Sequence, residues 1–432
     1  MLKRVTLLSI VFSLFTFSNF GLFDAIGIRR EIQLILVSIS MVGMITSFKF
    51  NLPDINVKVY ISWLLFMGAL AFINNVNEST FFGIIYSLII CIYLSSYVKI
   101  PDLDFFIKSV ILVTGIFSAL GLVQFILVNL IKDLPHATAL FNDQYLNSKN
   151  FVLFAEGPYG VTGYEYLRIF GFSDGSIIEF SIFTFTRLRS FLHEPSLVIP
   201  FFLLPGLIGL TYSGRIRKIS FINIAFSLLS LSSAIYLILL LAALLCFILK
   251  IKIIKNSYII ISLLITLIYY YIYNNIVPLE SGLDNIDYLA YMNSVNNEII
   301  QSDNSKFSSF NSRMGGIAYA QHLILENFIL GGSQNVRASV GLFLWSWLYG
   351  GVIGALIILS IFYQFNKRVF IILASVKHDE SYLFLTITSL YVLVIQALFF
   401  NDYGFNAPFG LVMLYALFSR INEMALSPPR PI

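Results

Sequence analysis

The sequence predicts an all-α membrane protein that crosses the bilayer about twelve times, and three observations predict this fold class. Charged residues make up 12% of the 432 residues, against about 25% in soluble domains. Apolar runs of roughly twenty residues, the length of a membrane-spanning helix, recur along the whole chain. Basic residues gather between alternate runs, as they do on the cytoplasmic side of membrane proteins. The net charge of +4 therefore belongs to individual loops and does not indicate nucleic-acid binding.

The first span follows Lys3 and Arg4, as the apolar part of a signal peptide would. No small-x-small cleavage site follows, so we expect this span to be retained. The predicted spans 219–231 and 233–249 are separated only by a serine-rich turn near Ser232. We predict two spans here because omitting either one would move a basic loop to the outer face. The predicted spans lie near 5–20, 31–47, 58–73, 81–98, 105–131, 191–210, 219–231, 233–249, 257–276, 339–363, 381–400 and 407–419.

With a cytoplasmic N-terminus, most basic loops fall inside, and the short outer loops hold little charge except Arg29 and Arg30. The inner basic residues are Lys3/Arg4, Lys49/Lys58, Lys99/Lys108, Arg215/Arg217/Lys218, Lys250/Lys252/Lys255 and Lys367/Arg368/Lys377. We therefore expect a multi-pass protein with both termini in the cytoplasm. The chain divides into N-terminal helices, a first long periplasmic loop, central helices, a second long periplasmic loop, and C-terminal helices with a short tail: 1–131, 132–190, 191–276, 277–338 and 339–432.

The first long loop contains alternating polar and apolar residues around Asp174-Gly175, a pattern that predicts a β-hairpin turning at that dipeptide. Its second arm carries Arg187 and Arg189. Strand side chains repeat every two residues, so we expect both cations on one face. Arg187 leads through His193 and Glu194 into the next span.

The residue pattern of the second long loop predicts helices near 287–300 and 312–330. On the later helix, Arg313 and His322 are nine residues apart and lie on opposite faces unless the helix breaks. Gly315-Gly316 would supply such a break. Arg337 stands just before the next span.

Cations at an outer membrane rim suit an anionic lipid head group such as a phosphate or pyrophosphate. Arg187 and Arg189, with the carboxylate of Glu194, form the candidate clamp; ordinary snorkelling of arginine to head groups is the alternative. Arg313 and Arg337 are candidate anion ligands. Alternatively, each of them caps a helix or pairs with an acidic residue of the loop. His193 and His322 are candidate bases, or structural histidines held by hydrogen bonds.

Several other motifs favour structural roles. Asp102 and Asp104 open a helix after Pro101, where acids suit the helix dipole. Gly350, Gly351 and Gly354 favour helix packing. Cys91 and Cys246 lie in apolar runs, and no zinc or nucleotide-binding motif occurs, so neither a metal nor another cofactor is expected.

The motif Arg187-x-x-Ser190-x-Leu-x-Glu194-Pro195 at the start of a span resembles the Arg-x-x-Gly-x-Phe-x-Asn/Glu-Pro signature of the superfamily of Wzy-type O-antigen polymerases and O-antigen ligases. Ser312-Arg313, Gly331-Gly332 and the run Leu348 to Gly354 resemble its second outer loop and the span that follows. Ser232-Ser233 resembles its Ser-Arg-rich helix start, without the usual arginine. The resemblance covers about 160–365.

The resemblance implies a glycosyltransferase of the bacterial inner membrane that takes glycan from undecaprenyl pyrophosphate. A polymerase moves the growing glycan onto the next lipid-linked repeat unit and contributes to lipopolysaccharide or a related polysaccharide. Partners would include the lipid-linked oligosaccharide, the bilayer, a chain-length regulator and a flippase. Arg187, Arg189, Arg313 and Arg337 would bind the pyrophosphate, and Glu194 would deprotonate or orient the acceptor hydroxyl.

Two alternatives stay open at this point. A ligase transfers the finished glycan to lipid A core and typically carries a histidine where the second outer loop re-enters the membrane. That position falls near Gly341 here, and no histidine is present. A transporter or flippase of lipid-linked oligosaccharide typically has two related halves and charged residues along a central cavity. The predicted spans are nearly free of charge and the halves do not match.

Overall fold

The structure, a computed structural model, describes most of the apolar helices, three strands and a few single residues. The described residues are 2–17, 29–47, 55–73, 78–97, 100–126, 167–168, 172–179, 184–190, 198–230, 233–250, 324, 329, 331, 341–376, 381–399, 405 and 407–426.

Eleven α-helices lie within these ranges: α1 (Leu2–Phe17), α2 (Arg29–Ser47), α3 (Ile55–Ile73), α4 (Glu78–Tyr97), α5 (Ile100–Ile126), α6 (Leu204–Leu210), α7 (Arg215–Leu229), α8 (Ser233–Lys250), α9 (Leu342–Ser375), α10 (Ser381–Phe399) and α11 (Pro408–Leu426). A π-helical turn, Ile199–Leu203, runs directly into α6. Every predicted span except the one at 257–276, which lies outside the described residues, overlaps a helix. The predicted spans 219–231 and 233–249 correspond to two separate helices, α7 and α8.

Four of the described helices are long and apolar enough to cross a membrane, over Leu103–Val123, Leu342–Ser375, Tyr382–Phe399 and Pro408–Leu426. Shorter apolar helices cover Glu31–Ser47, Lys58–Ile73, Thr80–Ser95 and Ile199–Leu210. Large apolar side chains also face outwards; Ile45 on α2, for example, is 73% exposed. So many exposed large apolar side chains suit lipid rather than water. These features indicate a membrane protein.

The centre of the fold is the π-helical turn and α6. Every residue from Val198 to Leu210 is buried, and none of them has a charged or hydrogen-bonding side chain. A helix that is apolar all round is stable only when other helices cover all its faces. Here α5, α7, α10 and α11 contact this segment.

The three strands form one antiparallel sheet in the order β1-β2-β3, with β1 at Leu167–Arg168, β2 at Phe172–Glu179 and β3 at Thr184–Ser190. The predicted turn at Asp174-Gly175 is wrong, because both residues lie inside β2 and the chain reverses between Glu179 and Thr184. The pairing slips between Asp174 and Ile177. Glycine in a strand often marks such a bulge, which explains why the dipeptide signals an irregularity rather than the turn.

Many of the basic residues assigned to inner loops lie on helices instead. Arg215, Arg217 and Lys218 form the first turn of α7, and Lys367 and Arg368 lie well inside α9. Long basic side chains extend their charged ends away from an apolar core while the backbone keeps its helical hydrogen bonds. Helices therefore continue beyond the apolar runs that predict them.

Candidate functional site

The predicted clamp is described only in part. Arg187 and Arg189 lie two residues apart on β3, whose backbone the structure describes. The other candidate residues lie outside the described residues: His193, Glu194, Arg313, His322 and Arg337. Whether these residues meet at one site therefore stays a prediction.

The cation-bearing strand lies next to the membrane helices. β3 contacts α5, and the buried segment that begins at Val198 follows β3 after seven residues, 191–197. The start of that segment is held by aromatic packing: the ring of Phe201 stacks on that of Phe409 at 4.2 Å, and Phe15 lies 6.0 Å from Phe201. Arg187 and Arg189 thus precede, by a short connection, a helix that is tightly enclosed.

The helix after the second long loop reverses its direction at Gly351. Gly351 has φ 56° and ψ −161°, and a Cβ on Gly354 would overlap the carbonyl oxygen of Ser346. In a straight helix residues eight apart are separated by about 12 Å along the axis. The segments 342–350 and 352–375 must therefore fold back against each other.

This helical hairpin corrects the predicted span at 339–363. Its first arm, 342–350, would be only about 13 Å long and cannot cross a bilayer, whereas its second arm, 352–375, would reach about 36 Å. The rings of Trp63 and Trp345 are 6.1 Å apart, and a Cβ on Gly350 would lie 3.0 Å from the sulfur of Met67. The first arm thus runs in the same direction as α3.

Gly331, from the end of the second long loop, lies against the tip of this hairpin. A Cβ on Gly331 would lie 2.7 Å from the backbone nitrogen of Gly351 and 2.8 Å from the carbonyl oxygen of Leu348. Gly331 also has φ 67°, which favours glycine. The predicted packing role holds for Gly350, which approaches Met67, and for Gly354, which approaches the Ser346 carbonyl, whereas Gly351 marks the reversal. The signal for a reversal was the adjacent glycine pair, since glycine often marks helix breaks.

A polar cluster lies where α5 begins and α6 ends, and we call it the Asp104 cluster: Asp104, Tyr212, Arg420 and Glu423. The Tyr212 hydroxyl donates to Oδ1 of Asp104 at 2.7 Å, and Arg420 Nη1 lies 3.8 Å from the same oxygen. Arg420 also donates to Glu423 at 2.8 Å and lies 4.3 Å above the Tyr212 ring. Burial raises the pKa of Tyr212 well above its ordinary value, so its hydroxyl stays protonated and donates.

The sequence pattern assigns Asp104 to the helix dipole and does not single out Tyr212 or Arg420. Asp104 does lie near the start of α5, but its carboxylate also joins two other parts of the chain. The signal for this cluster was the pair of charged residues near the end of the largely apolar helix α11, Arg420 and Glu423, since charges on a membrane helix need partners. Nothing in the sequence pairs Arg420 with Asp104, more than three hundred residues away.

Cation–aromatic contacts show which helix ends share one end of the bundle. Arg4 on α1 lies 5.5 Å from the ring of Phe105 on α5, and Arg217 on α7 lies 5.4 Å from that of Tyr382 on α10. The Arg217 side chain also donates to the Tyr212 carbonyl at 2.9 Å. With the Asp104 cluster, these contacts place the starts of α1, α5, α7 and α10 near the last turns of α11. We call this the basic end of the bundle.

Within the described ranges, no three His, Cys, Asp or Glu side chains lie close enough to hold a metal ion. A scan against models of protein families found no match for this chain, and a search of curated proteins found none either.

Proposed function

We propose that this protein polymerises oligosaccharide repeat units carried on undecaprenyl pyrophosphate, at the periplasmic face of a bacterial inner membrane. The observation that carries the proposal is the position of Arg187 and Arg189 on a strand that contacts α5 and ends seven residues before the buried α6 segment. Their side chains match the charge of a lipid pyrophosphate. The sequence resemblance described above supplies the reaction class.

The proposal includes about twelve spans with both termini in the cytoplasm. The basic end of the bundle gathers Arg4, Lys108, Arg215, Lys218 and Arg420, and the positive-inside rule favours the cytoplasm for such an end. The opposite end, with the tip of the α9 hairpin, then faces the periplasm. The loops 132–190 and 277–338 belong to that face in this orientation.

The chemistry is a glycosyl transfer in which one bond forms and one breaks. The acceptor hydroxyl oxygen attacks the anomeric carbon of the donor sugar, and the bond from that carbon to the pyrophosphate oxygen breaks. Glu194 takes the hydroxyl proton, with His193 and His322 as alternative bases. Arg187, Arg189, Arg313 and Arg337 stabilise the charge that grows on the leaving undecaprenyl pyrophosphate, where losing one donor typically costs about 10²–10³ in rate.

An O-antigen ligase is a weaker alternative for a specific reason. Its characteristic histidine would fall near Gly341, but a Cβ on Gly341 would overlap the carbonyl oxygen of Leu398. A histidine at that position would require the backbone to move. This favours polymerisation over transfer to lipid A core.

A flippase of lipid-linked oligosaccharide would need the basic end to open during transport. In the described residues, the charges of the Asp104 cluster join α5 and α11 to the turn after α6 at this end. Arg420 and Asp104 are two of the few charges in the described helices. Their pairing with each other across this end favours an enzyme over a transporter.

The test is a gel of surface polysaccharide from a deletion strain that expresses variants of the protein. Loss of a polymerase should leave the core carrying one repeat unit. Loss of a ligase should leave the core without any repeat, and loss of a flippase should cause subunits to accumulate inside the cell. Arg187→Ala should abolish long polymer while the protein stays in the membrane. Arg215→Ala, which removes an exposed cation at the basic end, is the matched control and should keep normal chain length. Normal polymer in the Arg187 variant would remove Arg187 from the mechanism.

A further inference from the structure

The central α6 segment is held by different contacts at its two ends. At its start, Phe201 stacks on Phe409. At its other end, α6 finishes at Leu210 and the chain reaches Tyr212 two residues later. Tyr212 is 7% exposed and belongs to the Asp104 cluster. From Phe201 to Leu210 no residue has a polar side chain, so apolar packing holds this part of the segment against its neighbours.

Contacts of Tyr212 come from three directions. Its hydroxyl donates to Asp104 on α5, its ring lies under the guanidinium of Arg420 on α11, and its carbonyl oxygen accepts from Arg217 on α7. Lys108 Nζ also lies 5.2 Å from its ring. Because three helices hold Tyr212, its position fixes how far α6 lies along its own axis.

We infer that Asp104, Tyr212 and Arg420 are positioning residues for the proposed glycosyl transfer, acting through α6 from the basic end of the bundle. The inference rests on the proposed function. α6 and its π-helical turn form one buried segment from Val198 to Leu210, and β3 with Arg187 and Arg189 ends seven residues before it. A shift of Tyr212 along the axis would therefore displace the whole segment as far as Val198, the described residue that follows β3 most closely in the chain.

Charge balance explains why the cluster keeps one arrangement. Arg420 and Lys108 face the carboxylates of Asp104 and Glu423, and the side chain of Arg420 is only 15% exposed. Removing one member leaves a poorly solvated charge without its partner, which is costly at this burial. The neighbouring helices then rearrange to regain a partner. Displacements of about 1 Å at a catalytic group can lower rates by about 100-fold.

The test uses the full-length protein in its membrane and measures position as well as activity. Spin labels are placed at Ile73→Cys, the last residue of α3 and 68% exposed, and at Ser190→Cys, the last residue of β3. The two native cysteines are buried and should react little. Distances between the labels are then compared in Tyr212→Phe, Asp104→Asn and Arg420→Met.

Tyr236→Phe is the matched control. Its hydroxyl donates to the Leu228 carbonyl at 2.7 Å on an exposed surface, so the variant loses one tyrosine hydrogen bond away from the cluster. We expect the label distance to shift or broaden in the three cluster variants and to stay unchanged in Tyr236→Phe. Polymer made by the cluster variants should fall by about tenfold or more, as expected for a small displacement at the site.

Failure of the inference and failure of the proposed function give different results. If cluster variants keep both the label distance and the chain length while Arg187→Ala loses polymer, the positioning role is wrong and the proposed function stands. If the label distance shifts but the deletion strain still makes normal polymer, the proposed function is wrong, and with it the role in glycosyl transfer. Tm is measured for each variant; a fall in polymer that follows Tm alone, with the distance unchanged, also overturns the inference.

Discussion

Gly331 packs backbone to backbone against Gly351, at the point where α9 reverses its direction. Both glycines have positive φ, 67° and 56°. Irregular backbone at membrane depth is tolerated where protein buries it, and Gly331 provides part of that cover. Gly331, near the end of the second long loop, thereby meets the hairpin tip through main-chain contact.

Gly331→Ala should destabilise the protein more than Gly214→Ala does. Both glycines have nearly the same positive φ, 67° and 68°, but nothing lies within 4 Å of a Cβ on Gly214. The control therefore loses only the backbone preference for glycine, about 1–3 kcal/mol. The Gly331 variant adds an overlap with backbone atoms that cannot move aside easily. Thermal unfolding in detergent measures both, and equal Tm values would show that the contact at Gly351 contributes nothing.

Asn223→Ala should loosen the packing of α7 on α5. Asn223 is fully buried; its side chain accepts from Ser118 at 2.8 Å and donates to Thr114 at 2.9 Å. Hydrogen bonds between membrane helices are worth about 0.6–2 kcal/mol each, so we expect a loss of about 1–3 kcal/mol in the free energy of unfolding.

Two further serine variants calibrate that measurement. Ser118→Ala removes one of the two bonds and should cost about half as much. Ser375→Ala loses only a bond to a carbonyl of its own helix and should change little. A loss in Ser375→Ala as large as that in Asn223→Ala would contradict the assignment to the contact between helices.

Tyr212 should contribute to stability up to about pH 10 and lose that contribution above it. Its pKa in the folded state is raised by burial, only partly offset by Arg420, whereas an unfolded tyrosine titrates near pH 10, at about its reference value. Above that pH the unfolded state releases a proton that the folded state keeps, so the folded state loses relative stability. The Tm difference between the native protein and Tyr212→Phe should be constant from pH 7 to about 9 and shrink at higher pH. A difference that falls already between pH 6 and 8 would place the titration elsewhere.

Cysteine labelling should distinguish the two ends of the bundle. Ser213 is exposed in the turn after α6, at the basic end, and Ser190 ends β3. A membrane-impermeant maleimide added to intact spheroplasts should label Ser190→Cys and spare Ser213→Cys until the membrane is permeabilised. The reverse pattern would put Arg187 and Arg189 in the cytoplasm and contradict the proposed reaction.

Much of the helical organisation was predictable because lipid imposes it locally. A run such as 381–400 is recognisable by its own composition, and the structure has α10 at Ser381–Phe399. The separation of α7 from α8 was predictable from the basic residues on either side of the pair. The turn at Asp174-Gly175 was predicted wrongly, since the same dipeptide serves a turn or a bulge and only the partner strand distinguishes them.

The sequence by itself determined the membrane character, the order of the helices and the candidate cations Arg187 and Arg189, because each depends on residues close together along the chain. Only the tertiary structure decided that α9 folds back at Gly351, that Gly331 covers the reversal, and that Asp104 pairs with Arg420. These contacts join residues distant in sequence. Their energies depend on burial and on the direction of neighbouring helices, and neither is recorded in a local pattern.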